Sequence, residues 1–176
     1  MADCINALKE WTGKARASVV YDSTVDEFTA GGLFQKVKGN KNIAVVGFTT
    51  DGDVFGMFYS RAVTKQDVRF FDPTVFVFSF ESHGRCETPQ RFVLKEGLKR
   101  DACVAFWKND SSGFVQFWVY SVVGGFWLGN ERSTSYCKHV SRGFDRLEDT
   151  TLTGESGFFN SGPHHHCARL LAVLLE

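Results

Sequence analysis

The sequence predicts a single α+β domain that is mostly antiparallel sheet, with two helices near its start. Three observations predict this class. Apolar residues recur at helical spacing only within the first 40 positions, and from Asn42 onward they form short runs separated by turn sequences. The length of 176 residues suits one domain. With 43% hydrophobic residues, including 18 phenylalanines, the chain can fill a core, which excludes a largely disordered protein.

Two short helices are predicted before the first long strand. Asp3 would cap the first helix and Gly13 would end it, and Thr29 and Gly39 would do the same for the second. Their apolar sides would be Cys4, Ile5, Leu8 and Trp11 in the first helix and Leu33, Phe34 and Val37 in the second. Gly31 and Gly32 weaken the second helix by about 1 kcal/mol each relative to alanine. Alternatively, these glycines permit close packing against a neighbouring segment.

Alternating or continuous apolar runs predict the strands. They cover residues 18–21, 43–49, 53–59, 75–80, 91–95, 103–108, 114–122, 126–128 and 169–175. Asp51-Gly52 predicts a two-residue hairpin loop, after which Phe55 and Met57 would lie on one face of the returning strand. Residues 130–163 are polar and glycine-rich, which predicts loops with room for one short helix.

The overall charge argues against some classes of function. Twenty basic and twenty acidic residues give a formal net charge of zero, whereas a protein that coats nucleic acid or an anionic membrane needs excess positive charge. Three basic clusters are nevertheless present: Lys36, Lys38 and Lys41; Arg91, Lys95, Lys99 and Arg100; and Arg132, Lys138, Arg142 and Arg146. They are either nucleic-acid contacts or solvated faces balanced by nearby acids.

The cysteines and the lengths of the apolar runs indicate the cellular compartment of the protein. The five cysteines are odd in number, and no two stand within three positions of each other, which argues against a dense disulfide scaffold and a Cys-x-x-Cys site. The first residues lack a basic segment followed by an apolar one. No apolar run reaches the roughly 20 residues that span a bilayer. We therefore expect a cytoplasmic protein without membrane insertion, with the nucleus as a second location.

Several segments resemble a known family. In chain order they are YDSTVDEFTAGGLFQKVKG, TTDGDVFGMFYS, FVFSF, GGFWLGNERSTSYC and CARLLAVLLE. Together they resemble the TLDc domain, with its Ser/Asp-rich turn, Leu-bearing helix, Asp-Gly-x-Val-Phe-Gly hairpin and Phe-x-Phe-Ser strand. The resemblance implies a TLDc-like domain over residues 18–176, preceded by an N-terminal helical extension at 1–17 that packs on it.

The resemblance also implies a fold and a function. The fold is a two-sheet, mostly antiparallel β-sandwich with flanking helices. The function is that of a non-catalytic interaction module in the oxidative-stress response, with the vacuolar proton-pumping ATPase as the implied partner. The positions that match the family pattern are Asp51, Gly52, Phe55, Gly56, Gly124, Gly125, Ser133, Ser135 and Cys137. Their simplest role is to shape the fold, and no nucleophile or phosphate-binding motif accompanies them.

Two alternative functions also follow from the residues. A DNA-binding, stress-responsive transcription regulator would use the basic clusters together with exposed aromatic side chains. A thiol-based redox protein would use Cys86 or Cys137, because each has cationic sequence neighbours that favour the thiolate.

A histidine run suggests a metal site. His164, His166 and Cys167 offer zinc ligands, and His139 could supply another if folding brought it close. On an extended chain His164 and His166 share one side, so a four-ligand site needs a distant partner. The simpler interpretation is a solvated loop without a cofactor.

Overall fold

The computed structural model describes residues 2–110, 113–130, 132, 137–149, 151–152 and 166–176. These residues form two α-helices and eleven strands. The helices are α1 (Ala2–Thr12) and α2 (Ala30–Val37). The strands are β1 (Ala17–Asp22), β2 (Ile43–Thr49), β3 (Val54–Tyr59), β4 (Arg69–Phe71), β5 (Phe76–Glu81), β6 (Gln90–Val93), β7 (Ala102–Phe106), β8 (Val115–Val119), β9 (Gly124–Leu128), β10 (Cys137–Lys138) and β11 (Cys167–Leu175).

The strands form two sheets in which every pairing is antiparallel. One sheet has six strands in the order β1-β11-β2-β3-β5-β6, and the other has five in the order β10-β9-β8-β7-β4. This arrangement confirms the expected α+β sandwich.

The main hydrophobic core lies between the two sheets. It includes Phe55 and Met57 of β3, whereas Val54 and Phe58 belong to a second cluster on the outer face of the six-stranded sheet. The alternation predicted for this strand is therefore confirmed. The rings of Phe55 and Phe126 meet edge to face at 5.4 Å and join the sheets across the core.

Helix α1 covers the outer face of the six-stranded sheet. Leu8 is completely buried there. Trp11 stacks on Phe80 with ring centroids 5.7 Å apart and also contacts Phe76 and Phe78. The apolar side predicted for this helix thus faces the sheet.

Helix α2 begins as its sequence predicts. The Thr29 hydroxyl accepts a hydrogen bond from the Gly32 N–H at 3.0 Å, which satisfies a donor that the helix itself leaves unpaired. Leu33, Phe34 and Val37 are buried in the main core. The helix therefore packs against the main core and contacts β1.

The β2–β3 loop corrects one prediction. Asp51-Gly52 does mark the turn, but the loop has three residues instead of two, because the Thr49 N–H bonds to the Asp53 carbonyl at 2.9 Å. The Gly52 N–H returns to the Thr49 carbonyl, and Gly52 takes φ +92°. A three-residue loop of this kind needs a left-handed residue at its third position, and glycine adopts that conformation without strain.

Two short strands were not predicted. β4 and β10 have three and two residues, too few for a hydrophobic period to be detected. Among the described residues of the 130–163 region, a 3-10 helix lies at Val140–Arg142, in agreement with the short helix for which the sequence left room. Neither helix of the described residues has the length and apolar character needed to cross a bilayer.

Candidate functional site

An exposed cluster of one arginine and three aromatic residues lies on the outer face of the five-stranded sheet. The Arg69 guanidinium sits over the rings of Tyr120 and Trp107, at 5.4 and 5.7 Å from their centroids. Phe71 contacts Tyr120 at 6.0 Å. Phe71 is 46% exposed and Tyr120 is 39% exposed. We call these four residues the outer patch.

The strand register explains why the outer patch forms. Arg69 and Phe71 alternate with Phe70, which packs against the main core, so both point outward from β4. Their partners on β7 are the small residues Ala105 and Cys103. The long side chains of β4 therefore reach across β7 toward Tyr120, just beyond β8. Burial raises the pKa of the Tyr120 phenol, while the charge of Arg69 acts in the opposite direction.

Within the part of the chain that the structure describes, the cation of the outer patch has no carboxylate partner. Among the ion pairs of the described residues none includes Arg69. The neighbouring cation differs, because the Lys108 ammonium lies 3.5 Å from an Asp67 carboxylate oxygen. The outer patch thus presents one unpaired positive charge among apolar rings.

A second polar cluster joins the β2–β3 loop to the loop after β5. The buried Asp53 carboxylate lies 2.8 Å from His83 Nδ1 and accepts a hydrogen bond from Arg85 Nη2 at 2.5 Å. Arg85 Nε also donates to the Thr151 carbonyl. The Asp53 N–H in turn donates to the Thr49 hydroxyl at 2.9 Å. These groups satisfy one another's hydrogen-bonding capacity. The cluster therefore links the two loops.

The residues that match the family hairpin occupy positions that shape the β2–β3 hairpin. Asp51 and Gly52 are exposed in the loop, whereas Phe55 and Gly56 are buried in β3. A Cβ atom on Gly56 would lie 1.9 Å from the Val45 carbonyl oxygen, so only glycine fits between these strands.

The later family positions lie at the far edge of the other sheet. Gly124 and Gly125 begin β9, and Cys137 is buried in β10, where it pairs with Phe126. Ser133 and Ser135 lie outside the described residues. The described positions therefore build strand pairs and form no shared pocket with the hairpin.

The cysteines differ in their suitability for thiol chemistry. Burial raises the pKa of Cys103 to about 11 and that of Cys167 to about 12, which disfavours their thiolates at neutral pH. Cys137 is 2% exposed. Cys86 is half-buried beside Arg85 and Arg146 in a cavity of about 230 Å³. Of the two redox candidates, Cys86 has the more accessible thiol.

The proposed metal ligands are only partly described. His164 lies outside the described residues, while His166 precedes β11 and the Cys167 thiol is fully buried. His139 Nδ1 lies 3.6 Å from an Asp149 carboxylate oxygen. Within the described part of the chain no group of three or more His, Cys, Asp or Glu side chains could hold a metal ion. The zinc site stays a prediction.

Several residues of the basic clusters have internal partners. Lys36 pairs with Asp26 at 2.7 Å and Lys99 with Glu96 at 2.5 Å. Arg91 donates a hydrogen bond to the Trp11 carbonyl, and Lys95 donates one to the Ser141 carbonyl. Lys138 is buried in β10. The remaining candidates are Lys38, Lys41, Arg100, Arg132, Arg142 and Arg146, and DNA binding by them stays a prediction. The intramolecular contacts favour solvated, internally balanced faces.

Sequence reasoning missed both the outer patch and the Asp53 cluster. Their members are far apart in the chain, with Arg69 about fifty positions from Tyr120 and Asp53 thirty positions from His83. The run ESHGRC after the Phe-x-Phe-Ser strand was the available signal for the Asp53 cluster. The outer patch had no comparable local signal, because β4 is too short to be recognised.

Comparison with known proteins supports the resemblance found in the sequence. The family model for the TLDc domain matches residues 2–158, which is most of the chain. The match begins within α1 and ends before β11. A search of curated proteins gave no match.

Proposed function

Because the chain belongs to the TLDc domain family, we propose that it is a non-catalytic interaction module of the oxidative-stress response. It acts by binding a protein partner. We also propose that the chain consists of an N-terminal helical extension at 1–17 and a TLDc-like domain at 18–176.

The outer patch is the observation that carries the proposal. Protein interfaces concentrate their binding energy in arginine, tyrosine and tryptophan side chains. Such residues support binding when they cluster on an accessible surface, and Phe71 and Tyr120 are 46% and 39% exposed beside Arg69. The Asp53 cluster, by contrast, has its hydrogen-bonding groups engaged internally.

The vacuolar proton-pumping ATPase is the partner to test first. The resemblance to TLDc domains implies this partner. Arg69 and Phe71 of the outer patch lie on β4, and Trp107 and Tyr120 directly follow β7 and β8 of the same sheet.

Affinity purification from peroxide-treated cells tests the proposal. The tagged full chain should recover peripheral pump subunits, and a Phe71→Ser, Tyr120→Ser variant should recover several-fold less. Val19→Ser is the matched control, because Val19 is 50% exposed on β1 of the other sheet. Absence of pump subunits from the wild-type sample would contradict this partner.

A salt series with duplex DNA tests the alternative regulator. A DNA-binding protein should bind at low salt and lose affinity steeply as salt rises, because released counterions drive the association. We expect no retention on DNA even at low salt. Sequence-selective binding by the wild-type chain would contradict the interaction-module proposal.

A further inference from the structure

We propose that the outer edge of β4, together with the outer patch, binds an extended peptide segment by strand addition. The segment carries an apolar side chain and a carboxylate two residues apart. This inference rests on the proposed function, because it names the chemistry of the partner that the interaction module would recognise.

The backbone of β4 has an open side. Among the described strands, β4 is the last of its sheet and pairs only with β7. The Asp72 N–H donates to the Ala102 carbonyl. Since backbone groups alternate along a strand, those of Arg69 and Phe71 point away from β7. Neither residue has a backbone hydrogen bond on that side among the described residues.

An added strand would place its side chains against the outer patch. Residues i and i+2 of a strand share one face, so two peptide side chains would stand beside Phe71 and Arg69. An apolar group extends the contact between Phe71 and Tyr120. A carboxylate complements the Arg69 guanidinium, which forms no ion pair with any described carboxylate. In antiparallel pairing the apolar residue comes first in the peptide.

The two edges of the six-stranded sheet are less suitable. At β6 the edge is partly occupied, because the Asp145 N–H donates to the Val93 carbonyl and the Lys95 N–H donates to the Gly143 carbonyl. At β1 the Asp22 N–H is taken by the Asp26 carboxylate. At β6 the Arg91 guanidinium also lies over an aromatic ring, that of Phe76 at 6.0 Å, but it already donates a hydrogen bond to the Trp11 carbonyl.

Charge favours a peptide over a nucleic acid. A strand of nucleic acid needs several cations along its phosphates. At the outer patch no described carboxylate pairs with Arg69, while Lys108 is already paired with Asp67. One cation beside apolar rings matches a single carboxylate in an otherwise apolar or neutral segment.

The test uses a synthetic probe, the peptide acetyl-Thr-Phe-Thr-Glu-Thr-amide, titrated into the ¹⁵N-labelled full chain. In amide NMR spectra the largest shifts should fall on Arg69, Phe71 and Tyr120. Methylating the backbone nitrogen of the peptide Glu removes its donor to the Arg69 carbonyl and should weaken binding about tenfold. This second probe changes only the peptide, so it cannot disturb the protein fold.

Charge exchange tests the specificity. Arg69→Glu should weaken binding of the Glu peptide by about tenfold or more and should restore affinity for the matching Lys peptide. Lys108→Glu is the matched control, since it makes the same charge change at a nearby exposed cation that already has a partner. Its affinity for the Glu peptide should stay within about twofold of wild type.

Several outcomes would overturn the proposal. These are unchanged binding by Arg69→Glu, equal binding of the methylated peptide, or largest shifts on β1 or β6. Tighter binding of a thymidine decanucleotide at the same amides would assign the surface to nucleic acid instead. Self-association that Arg69→Glu abolishes would assign it to a second copy.

The two proposals can fail separately. If the peptide does not bind but pump subunits are still recovered, the docking surface is wrong and the interaction module stands. If the peptide binds as expected but pump subunits are not recovered, the surface stands and the partner is wrong.

Discussion

At the residue scale, the Asp53 carboxylate holds two loops together. A buried charge is tolerated when it is paired and hydrogen-bonded, and removing one partner leaves the others unsatisfied. Asp53 receives a hydrogen bond from Arg85 and lies 2.8 Å from His83 Nδ1, while its own side chain is 3% exposed. The cluster therefore matters for stability even though it has no assigned chemistry.

Asp53→Asn should lower the free energy of unfolding by about 2 kcal/mol. The value is below that of a fully buried pair because Arg85 and His83 are partly exposed. Urea denaturation of wild type and variant measures it. Asp51→Asn in the same loop is the control, since Asp51 is exposed. Equal stability of the two variants would contradict a stabilising role for the Asp53 cluster.

The pair of Asp22 and Arg169 makes a prediction about pH. Arg169 donates to both carboxylate oxygens of Asp22, and this contact holds the pKa of that carboxyl well below its usual value of 3.8. The unfolded chain therefore binds a proton at higher pH than the folded chain does. The stabilisation is complete above about pH 5 and decreases as pH falls through 4 toward the folded pKa.

Asp22→Asn should accordingly destabilise the protein at pH 7 by on the order of 1 kcal/mol and by much less at pH 2.5. Denaturation midpoints at both pH values measure the difference. A destabilisation of the same size at both would mean that the charge of Asp22 contributes nothing.

At the element scale, local patterns predicted the helices and the long strands, whereas distant pairings were missed. β2 was predicted with its observed bounds at Ile43 and Thr49, because a continuous apolar run identifies a buried strand locally. β4 contains only Arg69–Phe71 and is specified by its pairing with β7, more than thirty residues later. The outer patch depends on that pairing, so no local period could predict it.

The two glycines at the start of α2 differ in how closely they are packed, so substitutions there distinguish the effect of backbone entropy on stability from the effect of packing. A Cβ atom on Gly32 would lie 2.5 Å from the Glu27 carbonyl oxygen, whereas one on Gly31 would meet nothing within 4 Å. The close packing considered from the sequence therefore applies to Gly32, and the helix weakening applies to Gly31.

Gly31→Ala should raise the free energy of unfolding by up to about 1 kcal/mol, and Gly32→Ala should lower it by about 1–3 kcal/mol. Thermal denaturation of the two single variants compares them directly, each serving as the control for the other. Stabilisation by both changes would contradict the close approach at Gly32.

At the scale of the whole molecule, the sandwich should unfold as one unit. The main core takes residues from both sheets and from α2, and α1 is tied to the six-stranded sheet by Leu8 and Trp11. Small domains with one shared core commonly unfold without intermediates.

Tryptophan fluorescence and far-ultraviolet circular dichroism should therefore give the same urea midpoint. The measurement uses a Trp11→Phe background, because Trp11 packs on the six-stranded sheet. In that background Trp107, Trp118 and Trp127 report on the five-stranded sheet, whereas circular dichroism also reports on the helices and the other sheet. Separate midpoints would show that the two sheets unfold independently.

The central claim is that the protein functions by binding a protein partner through the outer patch. Site-specific photo-crosslinking tests it most directly, with benzoylphenylalanine placed at position 71 or at position 19 in cells under peroxide. Phe71 and Val19 are similarly exposed but lie on different sheets. We expect a discrete crosslinked protein band from position 71 and none from position 19. Crosslinks from position 19 alone, or from neither position, would contradict it.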